Sequence, residues 1–449
     1  MTPVWLVLPD PFSTRLFFDT GIVDGLRKHV GQRLELFLDA GEQGWAERAP
    51  AVPVTRRDEL AVAPVPLPDK VWRRADMWLD RQIGFYPLSL RQSLRYGFNR
   101  ERLRPGHDNW FLNTDLAGPL PKWSALDPLM ARWHYGRFRY LPPELRRRLQ
   151  REPPAVVLAN IQMQAVVPFV IGARRHRLPI VGNVASWDHT VGKGIVAPNL
   201  HRYLVQNDVM RDDLVRYHGI EPERVVVTGW PQTDVYFRQR PRSEYVDELS
   251  ALGLDAALPV VLVMGNSPTN APYEDRFVER LVSWWESAAR ERFSLLFRPH
   301  PRDRKWRERF SAALSRNGVA VQEPSFTDLE TLALLLQHSD CVVSNAGTIL
   351  LDALVNDRPA VCVLYDEGAP AGESFALKNV SGEHYRQLIQ SDAFYRATRF
   401  EEVVSGIEHA LAHPDELADE RMHVARSVVG EVDGRAAERV VAAIVSVVT

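Results

Sequence analysis

The chain has 449 residues, of which 45% are hydrophobic and 25% charged, and its formal net charge is −2. That length is more than one hydrophobic core holds and suits two domains of ordinary size. The near-neutral balance excludes a dedicated nucleic-acid binder, which would carry a basic surplus. No charged-then-apolar leader and no run of eighteen apolar residues stands out, so a cytoplasmic protein without a signal segment or membrane span is expected.

The first half opens on an apolar strand, Val4–Leu8, followed by a helix within Arg15–His29 and a second strand at Leu34–Leu38. Strand, helix and strand in this order predict a doubly wound α/β domain, whose ligands sit outside the carboxyl ends of the strands. From about residue 70 to 150 the rhythm breaks. Between Val71 and Gln150 there are fourteen arginines and one lysine against seven acidic residues, with Trp72, Trp78, Trp110, Trp123 and Trp133 among them. Such interleaving suits an anionic membrane surface at the inner face of the membrane, or a large acidic or glycan acceptor. An insertion whose arginines are solvated and whose tryptophans pack on the parent domain is the alternative.

Regular order resumes with strands at Ala155–Leu158 and Ile180–Val184 around a helix, Met163–Arg175. After the second of these comes a polar, glycine-bearing loop, Ala185–Gly194, which gathers Asp188, His189 and Lys193. A carboxylate or imidazole here is suited to take a proton from an incoming hydroxyl, and a lysine to hold a phosphate. The alternative is a turn cap and a surface histidine. Strands at Arg202–Val205 and Arg224–Thr228 follow, and Gly229–Asp234 (GWPQTD) redirects the chain sharply. Gln239–Ser243 is the expected linker.

In the second half, Pro259–Met264 is a strand ending in a small-residue turn, Gly265-Asn266-Ser267-Pro268-Thr269. The strand Ser294–Phe297 delivers Arg298-Pro299-His300-Pro301-Arg302, a stiff loop whose charged donors suit phosphate oxygens. The third and central stretch is Asp340–Leu364. Its apolar strand, Cys341–Val343, leads through Ser344-Asn345-Ala346-Gly347-Thr348 into the apolar helix Ile349–Val355, which Asn356–Pro359 stops. A further strand, Ala360–Leu364, completes a βαβ half-unit. A strand-to-helix turn of small residues aims free amides and the positive end of a helix dipole at one spot, a geometry suited to the pyrophosphate of a nucleotide-activated substrate. Each turn alone is equally an ordinary βα connection; three on one edge of one sheet make a site. The two cysteines, Cys341 and Cys362, fall in buried strands without metal-like spacing and read as core residues of a reducing compartment. Helices at Phe400–Leu411 and Gly434–Val448, the latter capped by Asp433, close the chain.

These motifs carry a resemblance. RPHP at Arg298–Pro301, the Ser344–Thr348 turn, GWPQTD at Gly229–Asp234 and DGRAAERV at Asp433–Val440 resemble those of bacterial surface-polysaccharide glycosyltransferases. They are also similar to those of the CDP-glycerol glycerophosphotransferases that build teichoic acids, and more distantly to UDP-GlcNAc 2-epimerase. The resemblance covers roughly Val156 to Val448 and implies two Rossmann-like domains facing a cleft, the GT-B arrangement. The domains expected are an acceptor-binding one at 1–238, carrying the insertion, and a nucleotide-donor-binding one at 239–449. By position it implies that Arg298 and His300 contact the donor pyrophosphate, that Ser344, Asn345, Gly347 and Thr348 hold its phosphates through backbone and hydroxyl groups, and that Asp352 stands on the nucleotide ribose. Gly265 and Ser267 line the same edge.

Two departures matter. The Glu-x7-Glu pattern of many retaining GT-B enzymes is absent, which favours inversion, and Ser186–Gly194 occupies the region of the HGxxxK-like segment of the glycerophosphotransferases. The reading that results is a transferase moving a sugar from a nucleotide-sugar donor to a hydroxyl of a surface-glycan or lipid-linked acceptor. It is expected to invert and to need no metal or cofactor, with Asp188, then His189, as base. A CDP-alditol phosphotransferase, an epimerase and a non-catalytic glycan- or nucleotide-binding module on the same scaffold are the alternatives.

Overall fold

A computed structural model of the chain describes residues 2–39, 43–57, 135, 141–192, 196–316, 318–325, 328–370, 374–380 and 383–448. The described chain divides into two compact units, Met1–Asp234 with Arg435–Thr449, and Val235–Gly434. Most of the Arg/Trp-rich segment, with its five tryptophans, lies outside the described residues, as does Lys193.

In the first unit seven strands form one sheet: β1 (Val4–Val7), β2 (Leu34–Leu38), β3 (Val54–Arg56), β4 (Ala155–Leu158), β5 (Ile180–Asn183), β6 (Arg202–Val205) and β7 (Val225–Val227). Their order is β3-β2-β1-β4-β5-β6-β7, and every pairing is parallel. The strands are short and almost wholly apolar because helices cover both faces of a parallel sheet. The single helix expected within Arg15–His29 is two, Pro11–Asp19 and Ile22–Val30, broken at Gly21, whose φ of +82° no helix interior accommodates. The first of these helices begins four residues before Arg15, with Asp10 as its N-cap accepting the Ser13 amide at 3.0 Å.

The part of the arginine-rich segment that is described contains a helix, Pro143–Arg151. Its Arg148 is a structural cation: it donates to both carboxylate oxygens of Glu35 at 2.7 and 2.9 Å and stacks over Trp5 and Phe37.

The second unit holds β8 (Val260–Met264), β9 (Ser294–Arg298), β10 (Ala320–Val321), β11 (Cys341–Asn345), β12 (Ala360–Val363) and β13 (Tyr395–Ala397), in the order β10-β9-β8-β11-β12-β13, again all parallel. Its core joins both sheet and helix residues, among them Val261, Phe277, Trp285, Phe297, Val343 and Ile407. Cys341 and Cys362 are fully buried free thiols in adjacent strands. In this unit the strands expected at Pro259–Met264, Ser294–Phe297 and Ala360–Leu364 lie within a residue of their predicted limits, while β11 runs two residues beyond the expected Val343. Between β9 and β10 the chain forms two single helical turns, Trp306–Arg309 and Ser311–Leu314, interrupted at Phe310.

The final helix, Ala436–Val448, departs from expectation in two ways. The sequence places it with residues 239–449 in the second domain, yet it belongs to the first unit. Val440, Val441 and Ile444 pack into the core formed by Val4, Leu6, Leu26 and Leu36. Gly25 makes room for it, since a Cβ there would lie 2.8 Å from Val441 Cγ2. Nor is Asp433 what receives the helix's first amides: those of Ala436 and Ala437 donate to the two carboxylate oxygens of Asp234, at 3.0 and 2.7 Å. Arg439 adds a bond to the Thr228 carbonyl at 2.7 Å. GWPQTD and DGRAAERV are thus two halves of one clasp, about two hundred residues apart in sequence.

Candidate functional site

In the second unit the three predicted turns come together at the carboxyl ends of three neighbouring strands, β9, β8 and β11. Gly265 follows β8 directly, and the reason for glycine is close approach: a Cβ would stand 3.0 Å from the His300 amide nitrogen and 3.1 Å from the Pro299 Cα. The RPHP turn therefore lies against the β8 turn. Arg298 ends β9, is 3% exposed, and donates from Nε to Gln322 Oε1 at 2.6 Å. His300 accepts the Arg302 amide at Nδ1 (3.0 Å), which leaves Nε2 as its second ring nitrogen. Burial, with Arg302 and Arg298 adding to it, lowers the pKa of this imidazole to about 4. It is neutral at physiological pH, a hydrogen-bond donor and not a cation.

At β11 the side chains divide. Ser344 Oγ donates to the Met264 carbonyl at 2.9 Å and Asn345 Nδ2 to that of Val363 at 3.1 Å. Both are buried within the sheet and tie strands together. Gly347 caps the helix Thr348–Val355 and Thr348 is exposed at its first turn, so the amides here, more than the Ser344 and Asn345 side chains, are what this edge offers a ligand. Asp352 is turned inward: it is 2% exposed, and its carboxylate accepts the Tyr236 hydroxyl at 2.7 Å.

Asn266, within the predicted β8 turn, and several residues outside any motif join these turns. Asn266 donates from Nδ2 to the Ala346 carbonyl at 3.2 Å and takes the Ser267 amide on Oδ1 at 2.7 Å, joining the β8 and β11 turns. Glu274, the first residue of the helix Glu274–Ala288, accepts the Asn266 amide at 2.8 Å. Two later residues reach the same turns, Asn379 donating to the Asn270 carbonyl (2.7 Å) and Tyr385 to the Ala346 carbonyl (3.4 Å). For Glu274, Asn379 and Tyr385 the only sequence signal is an acid opening a long helix, and it points equally to a helix dipole.

In the first unit the stretch after β5, expected as a loop, holds Asp188 and then forms a single helical turn, His189–Gly192. Ser186 Oγ donates to Asp188 Oδ1 at 2.6 Å, and His189 Nε2 is 3.9 Å from that same oxygen. The Asp188 side chain is 30% exposed and that of His189 12%, so the carboxylate is the more accessible of the two. The loop is pinned from three sides. Gln162 donates to the His189 carbonyl at 2.7 Å, and Thr190 Oγ1 donates to Asp213 at 2.7 Å. His218 Nε2–H donates to the Thr190 carbonyl at 2.7 Å, which fixes its tautomer, and burial lowers its pKa to about 4. A pinned loop presenting one carboxylate beside an imidazole is able to accept a proton.

Among the described residues no helix is long and apolar enough to cross a membrane. Solved structures with the same architecture include the UDP-GlcNAc 2-epimerase of Neisseria meningitidis bound to UDP-GlcNAc, at 10% identity over 99% of this chain and 100% of that one, with a TM-score of 0.55. The Methanocaldococcus jannaschii UDP-GlcNAc 2-epimerase in complex with UDP-GlcNAc and UDP is similar at 14% identity over 98% and 99%, TM-score 0.51. A glycosyltransferase from Rickettsia africae is similar at 9% identity over 98% and 96%, TM-score 0.50. At such identities the likeness shows the fold, a pair of parallel-sheet α/β units of GT-B type. No curated protein matches the chain. The family model of CDP-glycerol:poly(glycerophosphate) glycerophosphotransferase matches residues 196–446, from the loop after Asp188 and His189 through all three turns to the terminal helix. Matched over more than half its length, the chain is a transferase and belongs to the CDP-glycerol:poly(glycerophosphate) glycerophosphotransferase family.

Proposed function

We propose that the chain transfers an alditol phosphate from a CDP-alditol donor to a hydroxyl of a growing surface polymer or its lipid-linked primer, with the donor held by the second unit. The observation that carries this is the convergence, within a matched family region, of Gly265, Arg298, His300, Gly347 and Thr348 on one sheet edge. Glycines allow phosphate oxygens to approach the amides, the amino end of the helix Thr348–Val355 favours negative charge, and Arg298 supplies a permanent cation. Neutral His300 donates a hydrogen bond without adding charge.

In the proposed reaction the acceptor oxygen attacks the alditol-bearing phosphorus as the bridging P–O bond breaks. The hydroxyl proton passes to a base, and the nucleoside monophosphate leaves with the bridging oxygen. Asp188 is the first candidate for that base and His189 the second. Charge on the departing phosphate is met by Arg298, His300 and the Gly347–Thr348 amides, so no metal ion or cofactor is invoked. Asp352 is not assigned to the ribose, because its carboxylate is engaged by Tyr236.

The second reading keeps the same donor edge with a sugar nucleotide in place of the CDP-alditol. Ser186–Gly194 standing where the glycerophosphotransferases carry an HGxxxK-like segment favours it, as does the UDP-GlcNAc found in proteins of this fold. Thermal shift with CMP, CDP, UDP, GDP and dTDP, each against an Arg298→Ala/His300→Ala control, separates the two. Stabilisation by the cytidine nucleotides that the control loses supports alditol phosphate transfer. The same pattern with UDP moves the assignment to the sugar donor, and no shift with any nucleotide refutes both. Turnover retained in full by Asp188→Ala would remove that residue as base.

A further inference from the structure

Glu274 is a buried acid that the proposed chemistry does not use. It is 5% exposed, with Oε1 receiving the Asn266 amide at 2.8 Å. Its Oε2 is buried without a hydrogen-bond partner, the Arg309 guanidinium lying 3.9 Å away. Arg309 reaches across to the other turn: it donates to Asp303 at 2.8 Å and to the Ala271 carbonyl. Asp303 in turn donates its amide to the His300 carbonyl at 2.8 Å and accepts the Lys305 amide at 3.1 Å. One continuous set of contacts therefore runs from the Ala346 carbonyl through Asn266, Glu274, Arg309 and Asp303 to His300.

We propose that Glu274 and Arg309 are positioning residues that set the β8 turn, Gly265–Ser267, against the RPHP turn and so hold open the geometry a donor diphosphate requires. The inference rests on the donor reading given above. Without the Glu274 carboxyl, Asn266 loses the acceptor for its amide, and Asn266 is what orients the Ser267 amide and fixes the Ala346 carbonyl beside Gly347. Burial lifts the Glu274 carboxyl to about 8, with Asp303 and Asp275 pushing in the same direction and Arg309 opposing. At neutral pH it is thus mostly an uncharged acid, able to accept the Asn266 amide without burying a charge. A glutamine would keep that acceptor.

The experiment compares Glu274→Gln, Glu274→Ala and Arg309→Met with the wild type by calorimetric binding of CDP and UDP. Backbone hydrogen exchange is followed in the same proteins over 265–271 and 299–305. Expected is a loss of at least tenfold in nucleotide affinity for Glu274→Ala and Arg309→Met, with faster exchange confined to those two segments. Glu274→Gln is expected to bind within threefold of wild type. Wild-type affinity and exchange in Glu274→Ala would overturn the inference while leaving the donor reading intact. Equal losses in Glu274→Gln and Glu274→Ala, with exchange raised throughout the second unit, would overturn it in favour of a purely structural acid. A wild type that binds neither nucleotide removes the donor reading and this inference with it, even if the exchange pattern is as expected.

Discussion

Replacing Asp234 with alanine is expected to destabilise the first unit while sparing the second. Asp234 is 7% exposed, and its two oxygens are the acceptors for the amides that open the last helix, at 3.0 and 2.7 Å. Loss of an N-cap costs about 1 kcal/mol, and a buried donor left without its charged acceptor costs roughly 1–3 kcal/mol. The two amides share one carboxylate and their costs do not add in full, so a loss of about 2–4 kcal/mol follows. It falls on a helix whose Val440, Val441 and Ile444 complete the core of the first sheet. Asp234→Asn keeps an acceptor and should lose about half as much. Urea unfolding followed by Trp fluorescence, with the two units allowed separate transitions, reads the effect as an earlier first transition at unchanged nucleotide binding. A transition moved by less than about 0.5 kcal/mol would refute the clasp. So would lost nucleotide binding at unchanged stability, which would place GWPQTD in the donor site instead.

Gly25→Ala should cost about 1–3 kcal/mol, because the new methyl meets Val441 Cγ2 at 2.8 Å, and Val441→Ala in the same chain should recover most of it; a double variant no better than the single one would show that the strain lies elsewhere. Glu274 binds a proton up to about pH 8 in the folded state and only to about 4.5 when unfolded, so folding stability from this site is complete below 4.5 and falls as pH rises towards 8. Glu274→Gln should therefore gain on the wild type between pH 5 and 8, by a few kcal/mol at most, and a difference constant with pH would defeat the assignment. His218 and His300 run the other way: their folded values of about 4 lie below the ordinary 6.5, so their share of stability is complete above pH 6.5 and is lost as pH falls towards 4. Denaturation midpoints of His218→Asn and His300→Asn, measured over that window, should fall less steeply than the wild type's; parallel slopes would mean that these rings are not held neutral.

Much of the fold was legible because parallel strands buried on both faces are written as short apolar runs, and Leu34–Leu38, Ala155–Leu158 and Arg202–Val205 have the limits their sequences suggest. The three turns were legible for a related reason. Small residues between an apolar strand and an apolar helix mark the edge where ligands bind, whatever the order in which the strands are laid side by side. The three-residue strands β3 and β13, whose residues are only partly apolar, carry too little pattern to stand out.

Side-chain roles within the motifs were a different matter. The Ser344 hydroxyl and the Asp352 carboxylate read as ligand contacts from their positions, yet the first donates to the Met264 carbonyl and the second accepts the Tyr236 hydroxyl. Burial obliges a polar group to find a partner, and the partner comes from whichever strand or helix packs beside it. The sequence by itself thus determined the α/β class, the two-domain scale and the sheet edge on which the three turns meet, since each follows from local periodicity and turn chemistry. Only the tertiary structure decided that Asp234 caps a helix two hundred residues later, that the final helix joins the first unit, and that Glu274 and Arg309 tie two turns together. Those contacts join residues far apart in the chain, and nothing in local periodicity records which distant backbone amide a carboxylate will meet.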